Sequence, residues 1–358
     1  MLALEMIIRK IFSLAPSIIS LFIFILSLSS NSISDENNIK YYSSDEGILS
    51  LMYHRFNESK YPSTNIQMDV FKDQMEIIKN SSYNFSNPKN FKENFSSPKK
   101  NKEILITIDD AFLSFYLEAW PFLKQNKIPF ILFVSTEPVG KNGYMTWEQI
   151  KEVGAEEFAV IGHHSHSHGY LIDKNNNFFI SDIEKANEKF LKNLGYIPNL
   201  FSYPFGEYSK FMRDYISQNF DYAFGQHSGV IDLNKDKFEL PRFPINENYG
   251  ELKRFNSIIN SFPLEYEQLL PLEKKLSIEN NPPNFQVKFF NEQTNLNNIN
   301  CYSNELDIWE RSNTTLKDNT LTINFRGPFI PRRGRINCSL NDNGKWRWFG
   351  VQFPIKKN

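Results

Sequence analysis

Two groups of residues in this chain have the types and spacing to do chemistry. Four of its six histidines fall within Gly162-His163-His164-Ser165-His166-Ser167-His168-Gly169, and two aspartates stand side by side at Asp109-Asp110. Neutral imidazole is a common ligand for zinc and related cations. His164 and His168 are four residues apart, so a helical turn would aim both rings to one side. The tract alone is also compatible with a loose surface metal-binder or a solvated loop. The aspartates close an apolar run, Ile104-Leu105-Ile106-Thr107-Ile108. Adjacent carboxylates there repel each other and lose hydration unless a cation or a function compensates. Neighbours on a strand point opposite ways, so one carboxylate can bind metal while the other faces a reacting water. An Asp pair is also a good cap for the helix that follows, and cap and catalyst are compatible roles.

The elements that must hold these groups follow from periodicity. Ile48–Tyr53, Glu103–Ile108, Pro129–Val134, Phe158–Ile161 and Leu200–Tyr203 read as buried strands. Between them, Met68–Lys79, Phe112–Lys124, Thr146–Val153, Ser181–Leu194 and Ser209–Asn219 read as helices. Thr146 and Ser181 are expected as N-caps, and Gly195 as a stop. Strand–helix alternation over residues 48–245 predicts an α/β fold with a parallel sheet or a β/α barrel. Function in such folds sits on loops at the C-terminal ends of strands. The aspartate pair and the histidine tract both fall there.

The pattern changes after Pro263. Residues 261–279 read as a linker. Beyond it Phe285–Phe290, Thr320–Phe325, Arg335–Leu340 and Trp346–Phe353 alternate as antiparallel strands, with a hairpin signal at Asn343-Gly344. Residues 280–358 are expected to form a small β-sandwich. Its two cysteines, Cys301 and Cys338, read as one disulfide, as an even pair does in a chain with an export signal; a metal site fits less, since neither has a second Cys or His at ligand spacing. Two free buried thiols are the alternative.

The ordered set of motifs resembles the polysaccharide deacetylase family, the NodB-homology group. Thr107-Ile108-Asp109-Asp110-Ala111 is similar to its first motif, Thr-Phe-Asp-Asp-Gly, with two changes. His164-Ser165-His166-Ser167-His168 matches the second, and Pro204-Phe205-Gly206 the third. Leu51-Met52-Tyr53-His54-Arg55 looks like the opening of the subgroup acting on exopolysaccharides. The resemblance covers about residues 45–245 and implies a distorted β/α barrel over 45–260. It implies Asp109 as general base and Asp110, His164 and His168 as ligands of a divalent metal, zinc foremost. It also implies an oxyanion and substrate contact at Tyr203, Pro204 and the Phe205 backbone N–H. The substrate would be an N-acetylated polysaccharide. Two departures stand out. Ser202 occupies the place of an Arg that braces the catalytic Asp, for which Arg242 is a substitute candidate. The late motif that supplies the acid is not visible, which leaves His227 as the candidate.

Composition bounds the rest. The 358 residues allow one large and one smaller domain, and a 41% hydrophobic content with 15% aromatics allows ring-rich cores. A formal charge of −1 gives no field for a polyanion, so nucleic acid is not an expected partner. Arg9 and Lys10 precede an apolar run from Ile11 to Leu28, and small polar residues follow. Residues 1–34 therefore read as a secretory signal, or as an uncleaved anchor that would associate the chain with a membrane. Either places the remainder outside the cytoplasm: periplasmic, extracellular or anchored facing outward. Two other functions fit less of the sequence. One is a catalytically impaired carbohydrate-binding protein of the same fold, and the other a metalloenzyme acting on a small amide or imide.

Overall fold

The computed structural model of the chain describes residues 47–96, 102–291, 293 and 295–356. The N-terminal segment read as a signal or anchor lies outside them. Among the described residues no helix is long and apolar enough to cross a membrane.

The first part is built on an eight-stranded sheet in which every pairing is parallel. Ile48–Tyr53 and Glu103–Asp109 lie side by side in it with every residue buried, as a sheet covered on both faces requires. Phe130–Val134, Ala159–His163, Leu200–Ser202 and Tyr222–Phe224 follow in spatial order on one side. On the other side Phe243–Pro244 pairs with Ile48–Tyr53. An isolated bridge between Phe224 and Leu240 carries the curl round to that strand. The fold is thus a distorted β/α barrel, and its strands deliver the aspartate pair and the histidine tract to one mouth.

Helices cover the sheet through apolar stripes. Met68–Lys79 buries Met68, Phe71, Met75 and Ile78. Trp147–Gly154 starts at a capping box formed by Thr146 and Gln149, and Lys210–Asn219 starts at Ser209. Two helices differ from expectation. The one ending at Leu194 begins at Asn176 with Asn175 as its cap, so Ser181 lies inside it. The segment after the aspartate pair opens with a wide turn, Phe115–Ala119, before the helix Trp120–Asn126. Pro121 in the first turn of that helix explains the break, since it has no N–H to continue a ladder from upstream.

The C-terminal part consists of a five-stranded and a four-stranded sheet. Phe285, Val287, Leu321, Ile336, Leu340 and Phe353 are among the residues buried between them. Cys301 and Cys338 form a disulfide between directly paired residues of neighbouring strands. Asn343 and Gly344 both take positive φ, as the tight hairpin between Arg333–Asp342 and Lys345–Pro354 requires. The segment 261–279, expected as a linker, carries two strands. Ser261–Pro263 pairs with Trp346–Trp348, and Gln268–Leu270 with Gln286–Lys288. Leu264, Leu269 and Leu276 are buried in the same core.

Candidate active site

Asp110, His164 and His168 each turn one ligand atom toward a common point. Their atoms lie within 4.8 Å of one another. His164 Nε2 is 3.5 Å from Asp110 Oδ1, and His168 Nε2 is 3.0 Å from the same oxygen. Ligands held ~2.0–2.2 Å from a zinc-like ion must stand roughly 3–3.5 Å apart, which these separations meet. Asp110 Oδ1 and His164 Nε2 are buried and make no hydrogen bond among the described residues. Orphaned buried polar atoms of this kind are costly unless a cation takes them, so the residues fit a divalent metal. His164 Nδ1 lies 2.6 Å from Ser202 O, a contact that places its proton there and leaves Nε2 as the lone-pair nitrogen.

Local backbone explains why adjacent aspartates share one centre. Asp109 ends the strand, but Asp110 and Ala111 take φ of 76° and 54°. This left-handed turn breaks the simple alternation expected of strand neighbours and swings Asp110 back toward the histidines. His164 Nε2 is therefore 3.9 Å from Asp109 Oδ2 as well. Burial raises the Asp110 pKa, but His168 and His164 outweigh it and hold the carboxyl well below the ordinary range. Burial lowers that of His168, yet facing Asp110 leaves it raised.

Asp109 is fully buried and clamped by Arg242. The guanidinium donates from Nη1 to Oδ1 at 2.7 Å and from Nη2 to Oδ2 at 2.8 Å. Its remaining donors reach Gly225 O, Thr107 Oγ1 and Ser202 Oγ at 2.9, 3.1 and 2.8 Å. Ser202, where the resemblance calls for an arginine, thus contacts the guanidinium that arrives from the Arg242 loop. Burial pushes the Asp109 pKa up, but Arg242 and His164 prevail and hold it below the usual value.

The third motif forms a strained turn. Phe205 takes φ of 59° and Gly206 of 66°, and a Cβ at Gly206 would meet Gln226 N at 2.4 Å. The Phe205 N–H has no hydrogen-bond partner among the described residues. Its ring lies 4.6 Å from that of His168 and 4.4 Å from that of Tyr170. Gln352, from the C-terminal sheet, donates to Phe205 O and Gly206 O at 3.0 Å each. Glu207, one residue on, accepts from Arg332 and Arg333.

Several expected site residues stand elsewhere. Tyr203 is fully buried against Phe201 and Tyr208, and Pro204 is buried too. Of the three residues expected to contact substrate, Phe205 lines the cleft. His227 lines the cleft, but burial pushes its pKa to about 4, leaving the ring neutral near pH 7. His163 packs among Phe190, Phe201 and Phe220, and His166 Nδ1 contacts Thr136 Oγ1 at 2.8 Å.

Two residues were not singled out in the sequence. His54 Nε2 approaches Asp109 Oδ2 to 4.0 Å and lines the cleft. Burial lowers its pKa more than Asp109 and Asp110 raise it. It was visible only as a letter in the opening Leu51–Arg55 motif. Asp182, on the helix Asn176–Leu194, accepts from the backbone N–H of His166 at 2.8 Å and of Ser167 at 3.1 Å. A buried aspartate on an amphipathic helix was the available signal.

Comparison with known proteins places this arrangement. Residues 96–223 match the family model described as Polysaccharide deacetylase. Poly-beta-1,6-N-acetyl-D-glucosamine N-deacetylase of Staphylococcus aureus (strain MSSA476) is 23% identical over 253 residues, covering 62% of this chain and 87% of that protein. The Streptococcus pyogenes deacetylase PplD in complex with acetate superposes with a TM-score of 0.54 at 21% identity. That match spans 60% of this chain and 98% of PplD. IcaB from Ammonifex degensii gives a TM-score of 0.52 at 26% identity, spanning 60% of this chain and 97% of its own. With the motifs in family order on the shared fold, residues 96–223 form a polysaccharide deacetylase domain.

Proposed function

We propose that the protein is an exported, metal-dependent N-deacetylase of an N-acetylated exopolysaccharide. The observation that carries this reading is the meeting of Asp110, His164 and His168 beside an Asp109 held ionised by Arg242. A divalent cation, zinc foremost, would lower the pKa of a water and polarise the acetamide carbonyl. The ionised Asp109 takes a proton from the water that attacks the carbonyl carbon. The free Phe205 N–H donates to the carbonyl oxygen as it gains charge. The carbon–nitrogen bond then breaks, releasing acetate and a sugar amine that must be protonated. His54 and His227 both line the cleft as candidates to give that proton, and burial lowers the pKa of each. Arg242 supplies the charge that the family's arginine would supply, which removes the chief reason for reading the chain as an inactive sugar-binding protein.

The Arg9-Lys10 and apolar N-terminal sequence and the Cys301–Cys338 bond support a location outside the cytoplasm. The staphylococcal relative makes poly-β-1,6-N-acetylglucosamine the first polymer to test. The test is metal content measured against acetate release in four variants. Asp110→Asn, His164→Ala and His168→Ala should lose both, because each removes a ligand. Asp109→Asn should keep metal and lose ~10²–10⁴-fold in rate. Metal lost from Asp109→Asn but retained by Asp110→Asn would reverse the two roles. Full activity in all four would refute the site.

A further inference from the structure

The cleft at the barrel mouth has a second wall that the deacetylase motifs do not provide. It is a cavity of about 890 Å³ lined by Asp110, His168 and Phe205 on one side and by the C-terminal sheet on the other. Along Arg333–Asp342 burial alternates. Ile336, Cys338 and Leu340 point into the sandwich core, while Arg335, Asn337 and Ser339 line the cleft. Pairing extends this face sideways. Tyr302 stands opposite Asn337, and Trp348 opposite Ser339. Two residues further along, on the same face, Trp346 stands opposite Asn341.

Trp346 and Asn341 belong to another depression, of about 520 Å³, lined by six asparagines, Arg311 and Trp346. Strand geometry puts ~20 Å between Arg335 and Asn341. One sheet face therefore runs from this depression to the metal-ligand residues. Its aromatic surface is not spent on packing: Tyr302 and Trp346 are each 47% exposed. Trp348 is held by Phe243 and by its own N–H to Asn337 Oδ1 at 3.4 Å, and still reaches the cleft.

We propose that this face is a glycan track, holding sugar units adjacent to the one being deacetylated. Its chemistry fits a sugar chain. Aromatic rings offer flat faces to pyranose rings, and amide side chains both donate to and accept from hydroxyl and acetamido groups. Its charge selects the acetylated form. Arg335 and Arg311 form no ion pair among the described residues, and the Arg335 guanidinium donates to the neutral Gln352 Oε1 at 3.3 Å. Cationic amines left by deacetylation would be repelled there.

The proposal rests on the deacetylase reading, and its test separates the two. Acetate release is measured on N-acetylglucosamine oligomers from short to long, for wild type, Trp346→Ala and Tyr302→Ala. Wild type should show kcat/KM rising with length. In the variants the long-to-short ratio should fall about 10-fold, through KM and not kcat. Unaltered length dependence in both variants would overturn the track. Affinity electrophoresis in gels containing acetylated or deacetylated polymer requires no turnover. Wild type should be retarded by the acetylated polymer and Trp346→Ala should not. If wild type released no acetate yet was retarded, the track would stand and the deacetylase reading would fall. Equal mobility of wild type with and without acetylated polymer would sink the track itself.

Discussion

A guanidinium clamped on both oxygens of a buried carboxylate fixes that carboxylate's protonation state. Burial pushes Asp109 toward its neutral form, and Arg242 is the largest of the charges that oppose it. Removing one member of such a pair leaves an uncompensated buried charge, which is strongly destabilising, about 3–5 kcal/mol. Arg242→Gln should therefore lower stability by that order, read from denaturant unfolding. It should also move the acid limb of the pH–rate profile. Asp109's folded pKa is depressed in the wild type, so the base stays ionised as pH falls through the mildly acidic range. Without Arg242 burial dominates, the pKa rises, and acetate release should fail at a higher pH. An acid limb that stays in place would show that Asp109 is not the group whose ionisation limits the rate. Arg242→Lys should recover part of the stability but not the two-pronged hold.

At the scale of elements, the loop carrying His164 and His168 is tied to a helix that contributes no ligand. Asp182 accepts from two successive backbone N–H groups of that loop, and Ser135 Oγ donates to His164 O at 2.8 Å. If the proposed ligand set holds, Asp182→Asn should weaken zinc affinity ~10–100-fold, measured by competition with a chromogenic chelator, with Asp110, His164 and His168 unchanged. Unaltered affinity would reduce Asp182 to a helix-anchoring role. The strands behind the loop were legible in the sequence because each is an unbroken apolar run bounded by polar residues. The helix start at Asn176 was not, because Asn175-Asn176-Asn177 reads as a turn, whereas Asn175 is the cap. The histidine and aspartate motifs were local and visible. The clamp on Asp109 was visible only as a candidate, because residues 109 and 242 meet through sheet closure and not through spacing. His54 reaches the site in the same way, from a neighbouring strand. The two strands within 261–279 were missed because Ser261–Pro263 gains its partner from the far end of the chain.

The molecule as a whole carries a built-in acid sensitivity unrelated to metal. Burial among aromatic rings pushes His163 down to about 3. In the unfolded chain the same ring takes a proton below ~6.5. Between those values only the unfolded state binds the proton, so stability is full above the upper value and falls as pH drops, by up to ~1.4 kcal/mol per pH unit. Thermal unfolding in the presence of a chelator should show this slope, and His163→Phe should flatten it. An equal slope in both proteins would assign the sensitivity to other groups.

The junction between the two β-rich parts also bears on how the chain can be divided. Lys102, on the barrel side, donates to Ile259 O and Ser261 O, and Ser261–Pro263 is itself an edge strand of the second sheet. A Cβ on Gly350 would stand 2.2 Å from Ser228 O, so the two backbones touch with no room between them. The barrel is thus not a detachable module here. Cutting near residue 260 would strip Gln352 and the arginines from the Pro204–Glu207 turn and bare the ring of Phe243. Anyone shortening or grafting this enzyme should treat the terminal hairpin as a keystone of the reaction chamber, to be carried along with it.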